Sequence, residues 1–344
     1  MADNIFGDFA HRLENRRTFS DRWGMTLGFM METDDADDAT AYTKDSNNND
    51  IPTIGENITS MEYKPRLTLS INDKKSNWSY FFDTYHKTND LFGSRKGGEK
   101  ESHATRIHGE ARWNDTYSKG TYEMSIGYRN ENSEKPYYLT SKGNKETVKN
   151  GTHELRLTPS FTYDLGHGFT LGGKSAIVFM YKYEGYREGQ MDMNTESQIG
   201  VSYSGFMPRW DIAMNFYRED TWYDRSNRKL SWTKEGYTLT DNAAKKDQVN
   251  QLRPSITYYF GNGANVRFDA RIPLGNGKWV NSNDGTKGNE SYETRYGFNY
   301  TFPVTPGFTA TVGGTFLNYK DKTSSGEFKR YYAFRPNIGF SYSF

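Results

Sequence analysis

Residues 61–71 read Met-Glu-Tyr-Lys-Pro-Arg-Leu-Thr-Leu-Ser-Ile, and apolar and polar side chains alternate along the whole stretch. A period of two is that of a β-strand, because its successive side chains point to opposite faces of a sheet. Strands in soluble sheets are mostly about five or six residues long. A longer strand with one apolar and one polar face is typical of an outer-membrane barrel, where about nine to eleven residues cross the bilayer.

The same alternation recurs from residue 22 to the end of the chain. Clear examples lie at 78–82, 107–113, 210–216 and 296–302, and we count about fourteen such strands. The pattern predicts an all-β fold, a transmembrane antiparallel β-barrel over residues 22–344. Residues 1–21 do not alternate, and we treat them as a separate N-terminal segment.

The links between these strands alternate in length. Short links fall at 72–76, 114–118, 164–168, 205–208, 261–264 and 303–306, and long polar links fall at 33–58, 89–101, 131–152, 184–193, 219–245, 274–288 and 320–327. Bacterial barrels have short periplasmic turns, long extracellular loops and an even number of strands. We therefore place the short links and both termini in the periplasm, and the chain in the bacterial outer membrane.

Tryptophan gives a separate check on the predicted registers. Trp23, Trp78, Trp113 and Trp210 all fall on the apolar face, at the short-link ends of their strands. Amphipathic aromatic rings collect where a bilayer meets water. The four residues therefore predict one rim of an interfacial girdle.

Composition excludes several classes of protein. Aromatic residues make up 16% of the 344 residues, which is too many for a disordered chain, and hydrophobic residues make up 34%. No apolar run approaches the roughly 18 residues of a transmembrane helix. Cysteine is absent, which excludes disulfides and thiolate chemistry, and the net charge of +1 predicts no nucleic-acid partner. The N-terminus lacks an export signal, and we interpret Met1 as an initiator placed before a mature sequence.

A soluble all-β sandwich or solenoid also has alternating strands and is the main alternative for the fold. The strands of a sandwich are shorter than those predicted here, and strand length favours the membrane barrel.

The polar residues that alternate with the apolar residues along each strand would line the lumen of a barrel. The charged candidates are Arg66, Arg106, Glu110, Arg112, Glu154, Arg156, Asp211, Arg253, Arg267, Asp269, Arg271, Glu293, Arg295 and Arg335. Pairs of opposite charge could simply hold a wet barrel in shape, since exposed pairs are individually weak and common. Together, fixed polar groups make a lumen that conducts polar solutes.

Five tyrosines also fall on the predicted inner face: Tyr85, Tyr217, Tyr259, Tyr319 and Tyr331. An aromatic ring can stack on the apolar face of a sugar while its hydroxyl forms a hydrogen bond. These residues are candidates for sugar stacking; alternatively, they pack against loops or against each other.

The N-terminal segment combines aromatic and cationic residues. Phe6, Phe9, Arg12, Arg16 and Arg17 could fold back into the lumen, where the arginines would pair with acids. We hypothesise that this segment constricts the pore as a displaceable plug. Chain termini are often disordered, and that alternative stays open.

Catalytic and metal-binding motifs are missing from the sequence. The six histidines show no metal-binding spacing such as H-E-x-x-H, and no phosphate-binding glycine loop is present. We predict no enzyme activity, no cofactor and no metal site.

The C-terminal residues Asn337-Ile338-Gly339-Phe340-Ser341-Tyr342-Ser343-Phe344 resemble the signal by which the assembly machinery recognises outer-membrane barrels. About fourteen strands with no constriction-loop motif of the trimeric porins resemble the monomeric OmpG-like porins. Their relatives include a cyclodextrin porin whose N-terminal segment lies inside the barrel. Here residues 3–21 precede the first strand in the matching place.

These observations and the resemblance lead to one functional hypothesis. The chain is expected to be a monomeric, passive diffusion channel for oligosaccharides, including cyclic ones, surrounded by outer-membrane lipid and lipopolysaccharide. Its near-neutral charge favours neutral over acidic sugars. The alternative is a non-transport barrel, an adhesin or surface hydrolase, acting through loops 33–58, 131–152 and 219–245.

Overall fold

The structure is a computed structural model. It describes residues 23–34, 42–44, 50–52, 60–72, 76–91, 102–138, 145–185, 188–204, 209–224, 228–233, 236–241, 246–274, 279–280, 290–322 and 328–343. Within these ranges every regular element is a β-strand, and no helix is long and apolar enough to cross a membrane.

Nineteen strands follow one another in the described part of the chain. They are β1 (Trp23–Asp34), β2 (Tyr42–Lys44), β3 (Asp50–Pro52), β4 (Ser60–Asn72), β5 (Trp78–Leu91), β6 (Ser102–Tyr117), β7 (Gly120–Tyr138), β8 (Lys145–Gly166), β9 (Phe169–Glu184), β10 (Met191–Tyr203), β11 (Trp210–Trp222), β12 (Arg228–Thr233), β13 (Gly236–Asp241), β14 (Lys246–Tyr259), β15 (Asn265–Pro273), β16 (Trp279–Val280), β17 (Glu290–Thr305), β18 (Phe308–Lys322) and β19 (Phe328–Ser343).

The long strands form one antiparallel sheet with neighbours in chain order. Fifteen strands belong to it, and one of them, β16, has only two residues, which is consistent with the predicted count of about fourteen. β15 pairs with both β14 and β17, and β1 pairs with both β4 and β19. The first and last long strands are therefore paired with each other, with Thr26 opposite Ser343.

Two strands are longer than the alternation predicts. The sequence marks 131–152 as a polar link, but β7 continues to Tyr138 and β8 begins at Lys145. Glu131 lies opposite Thr152, and the ladder continues to the pair Tyr138–Lys145. Polar side chains can pair in a ladder as well as apolar ones, because the backbone supplies the hydrogen bonds. The predicted loops 33–58 and 219–245 likewise contain the small hairpins β2–β3 and β12–β13.

One short link shows why this chain can turn so tightly. Between β8 and β9, Gly166, His167 and Gly168 have φ values of 84°, 55° and 83°. Glycine adopts this left-handed region without the Cβ clash that other residues incur. Asp164 fixes the turn further, since its Oδ1 accepts a hydrogen bond from the Gly166 amide at 2.7 Å.

We call the face of the sheet that carries the alternating apolar residues the outer face, and the opposite face the inner face. The outer face is lined by exposed side chains along whole strands, such as Ile199 (50% exposed), Met214 (49%) and Phe216 (41%). Monomeric soluble proteins rarely expose continuous apolar surface on this scale. A bilayer would cover it.

Aromatic rings concentrate at the short-link end of the outer face. Trp78 lies opposite Trp113, and Trp210 packs against Tyr258 with ring centroids 4.7 Å apart. Similar contacts recur around the sheet: Trp113–Tyr122, Phe169–Tyr203, Phe260–Tyr300 and Phe308–Phe340. The predicted girdle of tryptophans therefore belongs to a longer band of aromatic residues.

Candidate functional site: the charged inner face

The strand registers bring the predicted charged residues to one face of the sheet. All fourteen lie on the inner face, at positions that alternate with the exposed apolar residues: Arg66, Arg106, Glu110, Arg112, Glu154, Arg156, Asp211, Arg253, Arg267, Asp269, Arg271, Glu293, Arg295 and Arg335. Because one face is apolar, a one-residue slip of a strand would move its charges outward. The inner face is therefore a wall of fixed polar groups.

Asp83 is the centre of the ion cluster on β4, β5 and β6. Its carboxylate accepts hydrogen bonds from Arg66 Nε at 2.5 Å and from Arg106 Nη2 at 3.1 Å. The Thr68 hydroxyl lies 3.2 Å from the same carboxylate. Asp83 is fully buried and the Arg106 side chain is 5% exposed. A buried carboxylate needs such partners, because an unpaired buried charge is very costly.

A second group lies further along β6. Arg112 Nε donates to Glu110 Oε1 at 2.7 Å, and His108 Nε2 lies 3.6 Å from the other oxygen of Glu110. Phe81 of β5 packs edge-on against His108, and the Arg112 guanidinium lies over the Phe81 ring. This aromatic ring therefore supports the charged groups from the neighbouring strand.

A chain of alternating charges crosses β7 to β10. Arg129 lies 3.4 Å from Glu154, which also accepts from Arg156 at 3.3 Å. Arg156 then reaches past β9 to Glu196 on β10, at 3.2 Å. The intervening inner side chains of β9, Ala176 and Val178, are apolar and buried, so they leave the guanidinium room to cross.

A fourth cluster joins β10, β11 and β14. Tyr217 donates to Glu219 at 2.7 Å, and Asn194 Nδ2 donates to the other oxygen of Glu219 at 3.0 Å. The Arg253 guanidinium lies 3.4 Å from the centre of the Tyr217 ring and also donates to Gln251. Each member of the cluster thus has partners on an adjacent position or strand.

The remaining wall, on β15 and β17, is more open. Arg267 and Asp269 are 3.9 Å apart, and their side chains are 35% and 33% exposed. Arg295 Nε donates to Glu293, and the two side chains are 28% and 18% exposed. Charges in this sector therefore remain accessible to a solute on the inner side.

The tyrosines predicted to stack on sugars differ in how far their side chains are exposed. Tyr85 and Tyr217 are 4% and 3% exposed. Cations lie over both rings: Lys64 and Arg106 over Tyr85, and Arg253 over Tyr217. A sugar would have to displace a cation to stack there. Tyr259 is 37% exposed, at the short-link end of the inner face.

Tyr319 lies on the inner face of β18, opposite Tyr331 of β19. The proposed plug residues Phe6, Phe9, Arg12, Arg16 and Arg17 lie outside the described residues, as does Phe344. Stacking and constriction both stay predictions.

The sequence did not mark Asp83, His108 and Phe81 as site residues, although they organise the wall around Arg106 and Arg112. Asp83 follows from the alternation of Trp78, Tyr80 and Phe82, which assigns residue 83 to the inner face. The alternation therefore predicted the face on which Asp83 lies, but the partners of Asp83 depend on the register between strands. Among the described residues no group of acids and histidines has the arrangement of a metal site.

Comparison with known proteins supports the fold at the level of class. No family model matches the chain, and no curated protein matches its sequence. A TodX variant, described as a monoaromatic hydrocarbon channel, is similar in fold, with 12% identity, a TM-score of 0.51, and coverage of 94% of this chain and 90% of that one.

Two further solved structures are similar at the same level. The toluene transporter TbuX of Ralstonia pickettii has 8% identity and a TM-score of 0.50, over 94% of this chain and 89% of that one. The monoaromatic hydrocarbon channel CymD has 11% identity and a TM-score of 0.50, over 94% and 88%. These three solved structures are outer-membrane β-barrel channels rather than OmpG-like porins, so they support only the general class of fold.

Proposed function

We propose that the chain is a closed transmembrane barrel of the bacterial outer membrane and a passive channel for polar solutes, with oligosaccharides as the substrate class. The observation that carries the proposal is the contrast between the two faces of the sheet. Exposed apolar side chains cover the outer face, while charged and hydrogen-bonding groups line the inner one. Such a wall replaces part of the hydration of a polar solute.

The inner face also distinguishes this proposal from the cargo named for the similar structures, which are channels for aromatic hydrocarbons. An apolar solute gains free energy by leaving water for an apolar surface. Paired charges such as Arg156–Glu196 and Arg66–Asp83 provide no such surface. They favour solutes with many hydroxyl groups, and transport needs no cofactor and no catalysis.

We expect the purified protein to insert into planar bilayers and produce discrete current steps. Linear and cyclic glucose oligomers added to one side should interrupt the current reversibly, because a sugar in the lumen excludes ions. The block by each sugar is read from single-channel records over a concentration series. Conductance without block by these neutral sugars or by an acidic oligosaccharide would overturn oligosaccharide transport, and a silent bilayer would favour an adhesin or surface hydrolase.

The second part of the proposal concerns residues 1–21, which would constrict the lumen on the periplasmic side. Deleting residues 2–20 should raise the single-channel conductance and reduce spontaneous closures, since the obstacle is removed. The full-length chain under the same conditions is the control. Equal conductance and equal closure frequency would show that the segment does not enter the pore.

We further propose that the channel is monomeric, that it is surrounded by outer-membrane lipid and lipopolysaccharide, and that the barrel-assembly machinery recognises Phe344. The band of aromatic residues at the short-link end, from Trp113 to Phe308, supports a periplasmic interface there.

A further inference from the structure

Three arginines stand side by side on adjacent strands of the inner face. Arg271 of β15 lies directly opposite Arg295 of β17. On the other side of β15, the flanking pairs Gln251–Pro273 and Ser255–Asp269 place Arg253 opposite Arg271. We call Arg253, Arg271 and Arg295 the arginine row. Neighbouring strands are about 4.8 Å apart, so the row extends about 10 Å around the wall.

Like charges directly opposite each other destabilise a sheet. Arg253 and Arg271 are close enough for their charges to repel. Protein groups offset part of this repulsion, since Arg253 contacts Gln251 and Tyr217, and Arg295 contacts Glu293. Inward acids lie near the row: Asp269 and Glu293, each two residues away along its own strand, and Glu219 of β11, whose charge acts on both Arg253 and Arg271.

Elsewhere on the wall the arrangement is different. Asp83 lies between Arg66 and Arg106, and Glu154 lies between Arg129 and Arg156, so acids separate the cations. Those arginine side chains, apart from Arg66, are 10% exposed or less. The row instead places three cations in succession, and the Arg295 side chain is 28% exposed. It concentrates positive charge at one place on the inner face of a chain whose net charge is only +1.

We propose that the arginine row is an anion-binding site on the channel wall, which takes the carboxylate or sulfate groups of an acidic oligosaccharide. The inference rests on the proposed channel function and narrows its substrate class to acidic oligosaccharides, in place of the neutral sugars that the net charge alone favours. A guanidinium presents a planar fork of donors that matches the two oxygens of such a group. Rings of arginine or lysine are also the usual means by which a pore selects anions.

The test compares two trisaccharides of similar size, neutral maltotriose and anionic trigalacturonate, as blockers of the single-channel current. In the unmodified protein we expect trigalacturonate to block at a concentration at least tenfold below that of maltotriose. Arg271→Gln should raise the half-blocking concentration of trigalacturonate about tenfold, as expected for the loss of a hydrogen bond to a charged group. Block by maltotriose should not change.

Two further variants keep the result interpretable. Arg218→Gln removes the same charge from the outer face of β11, where the side chain is 46% exposed, and should leave both blocks unchanged. Arg271→Lys retains the charge, so it should preserve anion preference if Arg271→Gln folds poorly, while losing part of the affinity. Folding of each variant is checked by its heat-dependent migration in electrophoresis.

The two proposals fail in different ways. Channels that conduct but are blocked equally by the neutral and the anionic trisaccharide would overturn the anion site and leave the channel intact. Equal effects of Arg271→Gln and Arg218→Gln on the block by trigalacturonate would also overturn the anion site. Absence of conductance in the unmodified protein would overturn the channel itself.

Discussion

Replacing Asp83 with asparagine is expected to lower the free energy of unfolding by about 3 kcal/mol or more, because it leaves a buried guanidinium without its counter-charge. Asp83 is fully buried, and Arg106 beside it has a side chain that is 5% exposed. Asparagine keeps the size of the side chain, so the loss reports charge rather than packing. The measurement is urea-dependent unfolding in phospholipid vesicles, followed by tryptophan fluorescence.

A matched control is Asp269→Asn, on the same face of the sheet. Its side chain is 33% exposed and lies 3.9 Å from Arg267, so we expect a loss below about 1 kcal/mol. The double variant Asp83→Asn, Arg106→Gln should lose less free energy of unfolding than the sum of the losses of the two single variants. The reason is that the second change removes the buried cation that Asp83→Asn leaves without its counter-charge. Equal losses for Asp83→Asn and Asp269→Asn would contradict the assignment of Asp83 as the centre of a buried cluster.

Arginine in place of Ile199 should destabilise the folded protein in vesicles by about 2–4 kcal/mol, the cost of a cation on the lipid face near the middle of a barrel. Ile199 is 50% exposed on the outer face of β10, and Phe216 lies opposite it. The same unfolding experiment measures the loss. It tests whether lipid covers the apolar face.

Ser202→Arg provides the comparison for Ile199→Arg. Ser202 lies on the same strand but on the inner face, opposite Ala213, where an added cation meets water. We expect a change within about 0.5 kcal/mol, as for an ordinary surface substitution. If both arginines are tolerated equally in vesicles, the outer face does not contact hydrocarbon and the barrel would not span the membrane.

The faces of the strands could be predicted from the sequence because their period is two. Once Trp78, Tyr80 and Phe82 are assigned to one face, Asp83 and Tyr85 must lie on the other. The same reasoning assigns Arg106 and Arg156 to the inner face, where the structure has them, without any knowledge of their neighbours. A long run of consistent alternation leaves little freedom for error, since a slip of one residue exchanges the two faces completely.

The partners of these residues could not be predicted in the same way. Whether Arg156 contacts Glu196 depends on the stagger of β8, β9 and β10, which arises from hairpin geometry and a register shift near Gly151. The arginine row has the same origin, because Arg271 and Arg295 become neighbours only through the pairing of β15 with β17. Polar extensions of strands, as in β7 and β8, also carry no apolar alternation by which to recognise them.

The pairing of β1 with β19 has a consequence for how the molecule is made. Most strands pair with neighbours in sequence, so their contacts form between segments that are already near each other along the chain. Thr26 and Ser343 come from its opposite ends, and their meeting carries the largest loop-closure entropy in the sheet. Until β19 docks, β1 and β19 each present a row of unsatisfied amide and carbonyl groups, which invites association with other chains. Docking of β19 on β1 therefore covers one exposed edge of each of these two strands in a single step.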